Sequence, residues 1–432
     1  MTPIRLLLRL APACAVATLA LAAPRPSYAA DPVWLSTQLR PVEEAQRVRT
    51  VILKDSPVKA DFIADQPAPF AVRVEAEAKT GQHVASLLGA LHGELEPFVP
   101  EGLLAPLDDL VPTLAADRIP DSLMQLGKFG TEHQYYIPWM QATYIMAANR
   151  KALPYLPKGV DLDHITYDQL QEWAAAIHKA TGQRLLGFPA GPSGLMHRFF
   201  EGYLYPSYTG GVVTTFRSPA AVAMWQSFRK LWDEVNPNST SYGFMQEPLL
   251  SGDVWIAFDH VARLQDAFRK RPDDFVAFPA PAGPKGLAYM PVVVGLAIPK
   301  GAPDPKAATE LIQYLSKPAT QILTLKTSSF FPAVAVPTPP DLEPGLKAEG
   351  DAVAKMLAAP DAKPALLPVG LGAKGGEFDK IFLDTFQLIV LRGKDPAAVL
   401  KQEGEAMQRI LDETKAPCWT PDPASTGACQ VN

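Results

Sequence analysis

Short apolar strands alternate with amphipathic helices from the start of the chain, and few folds accommodate that pattern. Val33 to Leu39 reads as a first strand. Pro41 then opens a helix in which Val42, Ala45, Val48 and Val51-Ile52 recur near the helical period. Val58 to Asp65 alternates as a second strand, Phe70 to Lys79 is a second helix ended by Gly81, and His83 to Leu91 is the next apolar segment before the Gly93 turn. Strand, helix and strand in that order imply an α/β layered domain with parallel pairing. At 432 residues the chain is long enough for two cores of roughly 100–200 residues each.

The first 29 residues follow a different logic. Arg5 and Arg9 sit in an otherwise apolar start, Leu10 to Ala23 carries no charge, and Ser27-Tyr28-Ala29 offers small residues ahead of a cut before Ala30. Residues 1–29 therefore read as a secretory signal peptide. The alternative, a membrane anchor, needs ~20 uninterrupted apolar residues and this stretch is shorter. Removing it takes away three arginines and no acid, so the net charge of −5 becomes −8. That balance argues against a sequence-wide affinity for nucleic acid or an anionic membrane. Only Cys418 and Cys429 remain after the cut, and in an oxidising compartment they read as one disulfide closing a small terminal loop.

The middle of the chain is helical. Thr166 caps Tyr167 to Ala180, with Leu170, Trp173, Ala174 and Ile177 on one face and Gly182 beyond its end. Ser218 caps the next helix, which has Pro219 in its first turn and an apolar stripe through Val222, Trp225, Phe228 and Leu231. Val254 to Phe258 reads as a short buried strand, Val292 to Ile298 as a strongly apolar one, and Pro396 to Glu413 as a long terminal helix. No catalytic motif stands out. The seven histidines include no H-E-x-x-H, the serine in Gly191-Pro192-Ser193-Gly194 lacks nucleophile-elbow spacing, and no phosphate-binding loop is present. No metal and no cofactor is implied. Aromatic residues beside polar turns do recur: Trp34 before Ser36-Thr37-Gln38, Tyr135 to Trp139 before Gln141, a group from Phe199 to Tyr208, and Trp255 before Asp259. Rings offer an apolar face to sugar C–H groups, and carboxylates and amides take the hydroxyls.

From Tyr135 onward the chain resembles the extracellular solute-binding proteins of bacterial ABC importers, the family 1 group that includes maltose-binding protein. Tyr136-Ile137-Pro138-Trp139 through Ala148-Asn149-Arg150-Lys151 is similar to the family's crossing strand and the turn after it. Thr166-Tyr167-Asp168-Gln169-Leu170 resembles its T-W-x-E-L helix start, and Phe278 to Gly286 its return crossing. Gly295 to Gly301 and Ala307 to Ser316 follow in the expected order, and Gly102-Leu103-Leu104-Ala105-Pro106-Leu107 resembles the upstream G-L-L-x-P-L element.

The resemblance implies an α/β, two-lobed periplasmic-binding-protein fold of type II, with a ligand cleft between lobes joined by crossing strands. Lobe one would take residues 30–140 and 282–327, and lobe two residues 141–281 and 328–432. It further implies ligand contacts at Ser36, Thr37, Gln38, Leu91, His92, Glu94, Trp139 and Gln141 on lobe one, and at Ser193, His197, Asp259 and Arg263 on lobe two. The function expected is that of a monomeric periplasmic receptor, not an enzyme, which captures a carbohydrate and delivers it to ABC permease subunits. A non-sugar solute (a polyamine, an anion or a phosphodiester) is one alternative, and an exported glycosidase working through two carboxylates is another. Trp139, after the stiff Pro138, is expected beside the cleft as a stacking face. Asp259, at the end of the strand Val254 to Phe258, is expected to emerge as a charged acceptor.

Overall fold

Twelve strands carry the fold among the described residues, which in this computed structural model are 31–39, 42–337 and 339–432. The expected signal peptide, residues 1–29, lies outside them. In chain order the strands are β1 (Val33–Ser36), β2 (Asp61–Ala64), β3 (Ala85–Leu91), β4 (Ile137–Ala142), β5 (Tyr144–Asn149) and β6 (Leu186–Gly187). There follow β7 (Ile256–His260), β8 (Phe275–Phe278), β9 (Ala288–Tyr289), β10 (Val292–Ala297), β11 (Phe331–Pro332) and β12 (Lys363–Pro364). The first sheet has the order β11-β4-β10-β3-β1-β2, the second β6-β7-β5-β8, and β12 pairs with β9.

In the first sheet β1 runs parallel to both β2 and β3, as the opening alternation requires, with Trp34 opposite Phe62 and Leu87. β10 runs antiparallel to β3 and to β4, and β11 adds an edge beside β4. All seven residues of β3 are buried, as expected for a strand covered on both faces. Period-two alternation on β1 sends Leu35 into a cluster with Phe70 and Val74 of helix Pro67–Thr80. Trp34 turns to the opposite layer, with Val48, Ile52 and Leu311.

In the second sheet β5 is central, antiparallel to β7 and β8. Its helical cover is locally encoded. Thr166 and Gln169 form a reciprocal capping box at the start of helix Tyr167–Thr181, and Gly182 closes it at φ 72°, where a Cβ would be strained. Ser218 caps helix Pro219–Trp232 as expected. The aromatic group after Phe199 packs this core: Phe199 lies 4.9 Å from Phe258, and Phe200 lies 5.0 Å from Trp225.

The chain passes between the sheets at Thr143, directly between β4 and β5, and again at Met290 and Pro291, between β9 and β10. The two passages are tied together, since Thr143 Oγ1 donates to the Met290 carbonyl at 3.0 Å and shares a 2.9 Å hydrogen bond with the Tyr203 hydroxyl. β11 pairs with β4 in the first sheet, so that sheet extends past residue 327. A cavity of about 220 Å³ lies among these passages, lined by Gln141, Thr143, Tyr289, Pro291, Phe331 and Val353. Among the described residues no helix is long and apolar enough to cross a membrane.

The terminal tail is built into the second half of the molecule. Cys418 and Cys429 are disulfide-bonded, as expected, and Cys429 is wholly buried. Asp422 accepts from the backbone N–H groups of Val212, Val213 and Thr214, and the Arg217 N–H donates to the Asn432 carbonyl at 2.7 Å.

Candidate functional site

Five of the expected residues, Ser36, Thr37, Gln38, Leu91 and Glu94, converge where β1 and β3 end. Thr37 Oγ1 donates to Glu94 Oε2 at 2.5 Å, and the Leu91 N–H donates to the same oxygen at 2.9 Å. Gln38 Nε2 donates to Thr37 Oγ1 at 3.0 Å, and Ser36 Oγ accepts from the Gln38 N–H at 3.0 Å. Short strands ending at one level bring these side chains together: Ser36 pairs with Gly89, two residues before β3 ends. His92 turns away from them. Its Nδ1 is 3.0 Å from the Tyr136 hydroxyl and its ring stacks on Phe129, and burial pushes its pKa down to about 4.

On the other side of the cleft the key helix begins at Met196 and runs through a π-turn over Phe200–Leu204 to Thr209. His197 Nε2 lies 3.5 Å from Asp379 Oδ2, yet burial holds its pKa near 4. Arg198 is acted on electrostatically by Asp379, Tyr144, Glu201 and Glu94, so its guanidinium links this side to the β3 end. Arg263 Nη1 donates to the carbonyls of Ser193 and Gly243, and the guanidinium lies 4.3 Å from the Phe244 ring centroid. Ser193 is thus represented here by its main chain. The two sides touch directly. The Gly370 N–H donates to Glu96 Oε2 at 2.8 Å, and a Cβ on Gly93 would come within 2.3 Å of the Pro368 carbonyl oxygen. Only glycine permits that approach.

Two placements differ from expectation. β7 is Ile256–His260, two residues later than the strand expected, so Asp259 lies inside it, opposite Ile145, and is wholly buried. Its oxygens accept from the N–H groups of Met245 at 2.9 Å and His260 at 2.7 Å. Burial raises its pKa to about 7, against the pull of Arg263. Trp139 is also wholly buried, and its ring meets Trp34 edge to face at 4.9 Å rather than standing with the polar groups. It shares the Trp34 and Leu311 layer, at a point where β4 pairs with β10 out of regular register, Val294 opposite Met140 and Gly295 opposite Pro138. Gln141 reaches the Pro332 carbonyl at 2.9 Å, beside the cavity among the passages.

Arg198, Glu201 and Asp379 were not anticipated. The available signal was Glu201 itself, an acid inside the apolar run Phe199-Phe200-Glu201-Gly202-Tyr203-Leu204. Among the described residues no group of three or more His, Cys, Asp and Glu side chains is arranged to hold a metal ion.

Residues 64–322 match the family model described as bacterial extracellular solute-binding protein. No curated protein gives a match. Solved structures do. The GacH receptor of Streptomyces glaucescens is 19% identical over 89% of this chain and 99% of its own, with a TM-score of 0.67. Maltose-bound MalE3 of T. maritima is 17% identical over 88% and 99%, at 0.70. UgpB from Mycobacterium tuberculosis in complex with glycerophosphocholine is 19% identical over 89% and 99%, at 0.68. These likenesses show the fold, which is two-lobed with a cleft between the lobes.

Proposed function

The chain belongs to the bacterial extracellular solute-binding proteins, and from that membership we propose that it captures a carbohydrate between its lobes and presents it to ABC permease subunits. The observation that carries this reading is the polar array of Thr37, Gln38 and Glu94 at the end of one sheet, with Arg198 of the other lobe within electrostatic reach of Glu94. Hydroxyl groups can both donate to such carboxylates and accept from such amide and guanidinium groups. No covalent step is needed. Thr143 and Met290-Pro291 are the passages about which the lobes would open, and contacts present only in the closed form would drive closure. We assign the protein to the periplasm, as a monomer, reached through the leader at residues 1–29.

A second reading, a phosphodiester or other anionic solute, is favoured by Arg198 and Arg263 and by the glycerophosphocholine bound to UgpB. A thermal-shift screen separates the two, because a solute at 100 times its Kd stabilises by about 2.7 kcal/mol. Neutral saccharides should raise the melting midpoint and be recovered unchanged. A response confined to phosphodiesters, or a chemically altered sugar, refutes the carbohydrate reading.

A further inference from the structure

Within that carbohydrate reading, the charge of the solute is open, and Glu201 bears on it. The side chain is 2% exposed, and neither carboxylate oxygen has a hydrogen-bond donor. An acid buried in this way costs free energy unless something pairs with it. Its neighbour in hydrogen-bonding contact is a second acid, Asp379, and Arg198 is the one nearby cation. Asp379 faces His197, which burial keeps neutral, and its side chain retains 28% exposure, so the pair is open to solvent through Asp379.

Two other acids, Glu94 at the β3 end and Asp259 inside β7, are already engaged. Glu94 Oε2 is taken by Thr37 and the Leu91 N–H, and Asp259 by two backbone N–H groups. Of the four acids Glu94, Glu201, Asp259 and Asp379, burial raises the pKa of Asp259 to about 7 and pushes that of Glu201 well up; two guanidinium groups, Arg198 and Arg263, stand near them, and the imidazole of His260 is held neutral by burial. Arg263 is spent on the carbonyls of Ser193 and Gly243. Arg198 acts on Glu201 and Asp379 through its charge, but no hydrogen bond from it reaches the Glu201 oxygens, and that is the place left for a further donor.

We propose that the solute is a saccharide carrying a protonated amine, whose ammonium group donates to the carboxylates of Glu201 and Asp379 while its hydroxyls meet Thr37, Gln38 and Glu94. An ammonium group supplies three donors and a full charge, which two adjacent carboxylates can accept together. A neutral hydroxyl supplies one donor and leaves the pair to share a proton.

The test compares two disaccharides that differ only at nitrogen, the β-1,4 dimer of glucosamine and its fully N-acetylated form. Binding is measured by calorimetry near pH 6, where the free amines are protonated. The amine form should bind at least tenfold more tightly than the acetylated form. Glu201→Gln and Asp379→Asn should each reduce that preference below threefold. Asp379→Asn, at the more accessible position, covers the case in which a change at Glu201 impairs folding. Equal affinities, a preference for the acetylated dimer, a preference that survives in both variants, or no binding of the amine form each overturn the proposal. The carbohydrate reading survives those results and falls only if a broad panel of neutral saccharides also fails to bind.

Discussion

Replacing Asp422 with alanine should destabilise the protein by several kcal/mol, although the residue is not one of the candidate ligand contacts. Its carboxylate accepts from the N–H groups of Val212 at 3.0 Å, Val213 at 2.8 Å and Thr214 at 3.1 Å, and also from the Thr214 hydroxyl. The acceptor is buried, with 5% exposure, and Val212 and Val213 are at most 1% exposed. Two backbone donors would therefore be left without water or partner, at ~1–3 kcal/mol each, for a total of about 4 kcal/mol. For a domain near 400 residues the unfolding entropy is about 0.8 kcal/mol/K, so the melting midpoint should fall by about 5 °C. Circular dichroism would give the midpoint, and amide hydrogen exchange of the 205–218 and 416–432 peptides would localise the effect. Asp422→Asn, which keeps one acceptor oxygen, should lose roughly half as much. A midpoint for the alanine variant within about 1 °C of the parent, with unchanged exchange at Val212 and Val213, would refute the view that this carboxylate holds the tail to the lobe.

Three further outcomes are expected. Trp139→Ala should cost about 3–5 kcal/mol of stability in urea denaturation, through the cavity left against Trp34, while the folded fraction binds solute normally. Removing the disulfide by changing both Cys418 and Cys429 to alanine should cost about 2–3 kcal/mol for so short a loop. It should be less than additive with Asp422→Ala, because Asp422 lies inside that loop, and a double-mutant cycle measures the coupling. Asp259 has a folded pKa raised to about 7, so the native state holds a proton that the unfolded chain releases, and its contribution to stability falls as pH rises from about 4 to 7. Asp259→Asn should remove that loss, and the urea midpoint of the variant relative to the parent should rise between pH 5 and pH 8.

What could be read from the sequence was whatever neighbouring residues decide between themselves. Thr166, Gln169 and Gly182 start and stop a helix through contacts within a few positions, and the structure has those contacts as expected. Asp259 fails by a different route. In a doubly covered sheet the strand is an unbroken apolar run, so Val254-Trp255 and Ile256-Ala257 look alike, and pairing with β5 decides that the strand starts at Ile256. A slip of two residues then moves a carboxylate from a strand end into the strand. Trp139 was judged by its polar and proline neighbours, whereas the pairing of β4 with β10, irregular at this position, sets the layer its ring enters. The unread part of the cleft is of another kind. His197, Arg198 and Glu201 share one helix, but their partner Asp379 lies some 180 residues on, and Glu94 arrives from the opposite lobe. No local pattern marks such a charge as paired or orphaned, because its cost is set by burial and by groups that only the tertiary structure brings within reach. Glu201 in its apolar run is the exception: an acid where the helix must be buried from every side has to keep its proton, find a partner in the protein or receive one from a ligand, and burial beside Asp379 pushes its pKa well up while neither oxygen has a donor.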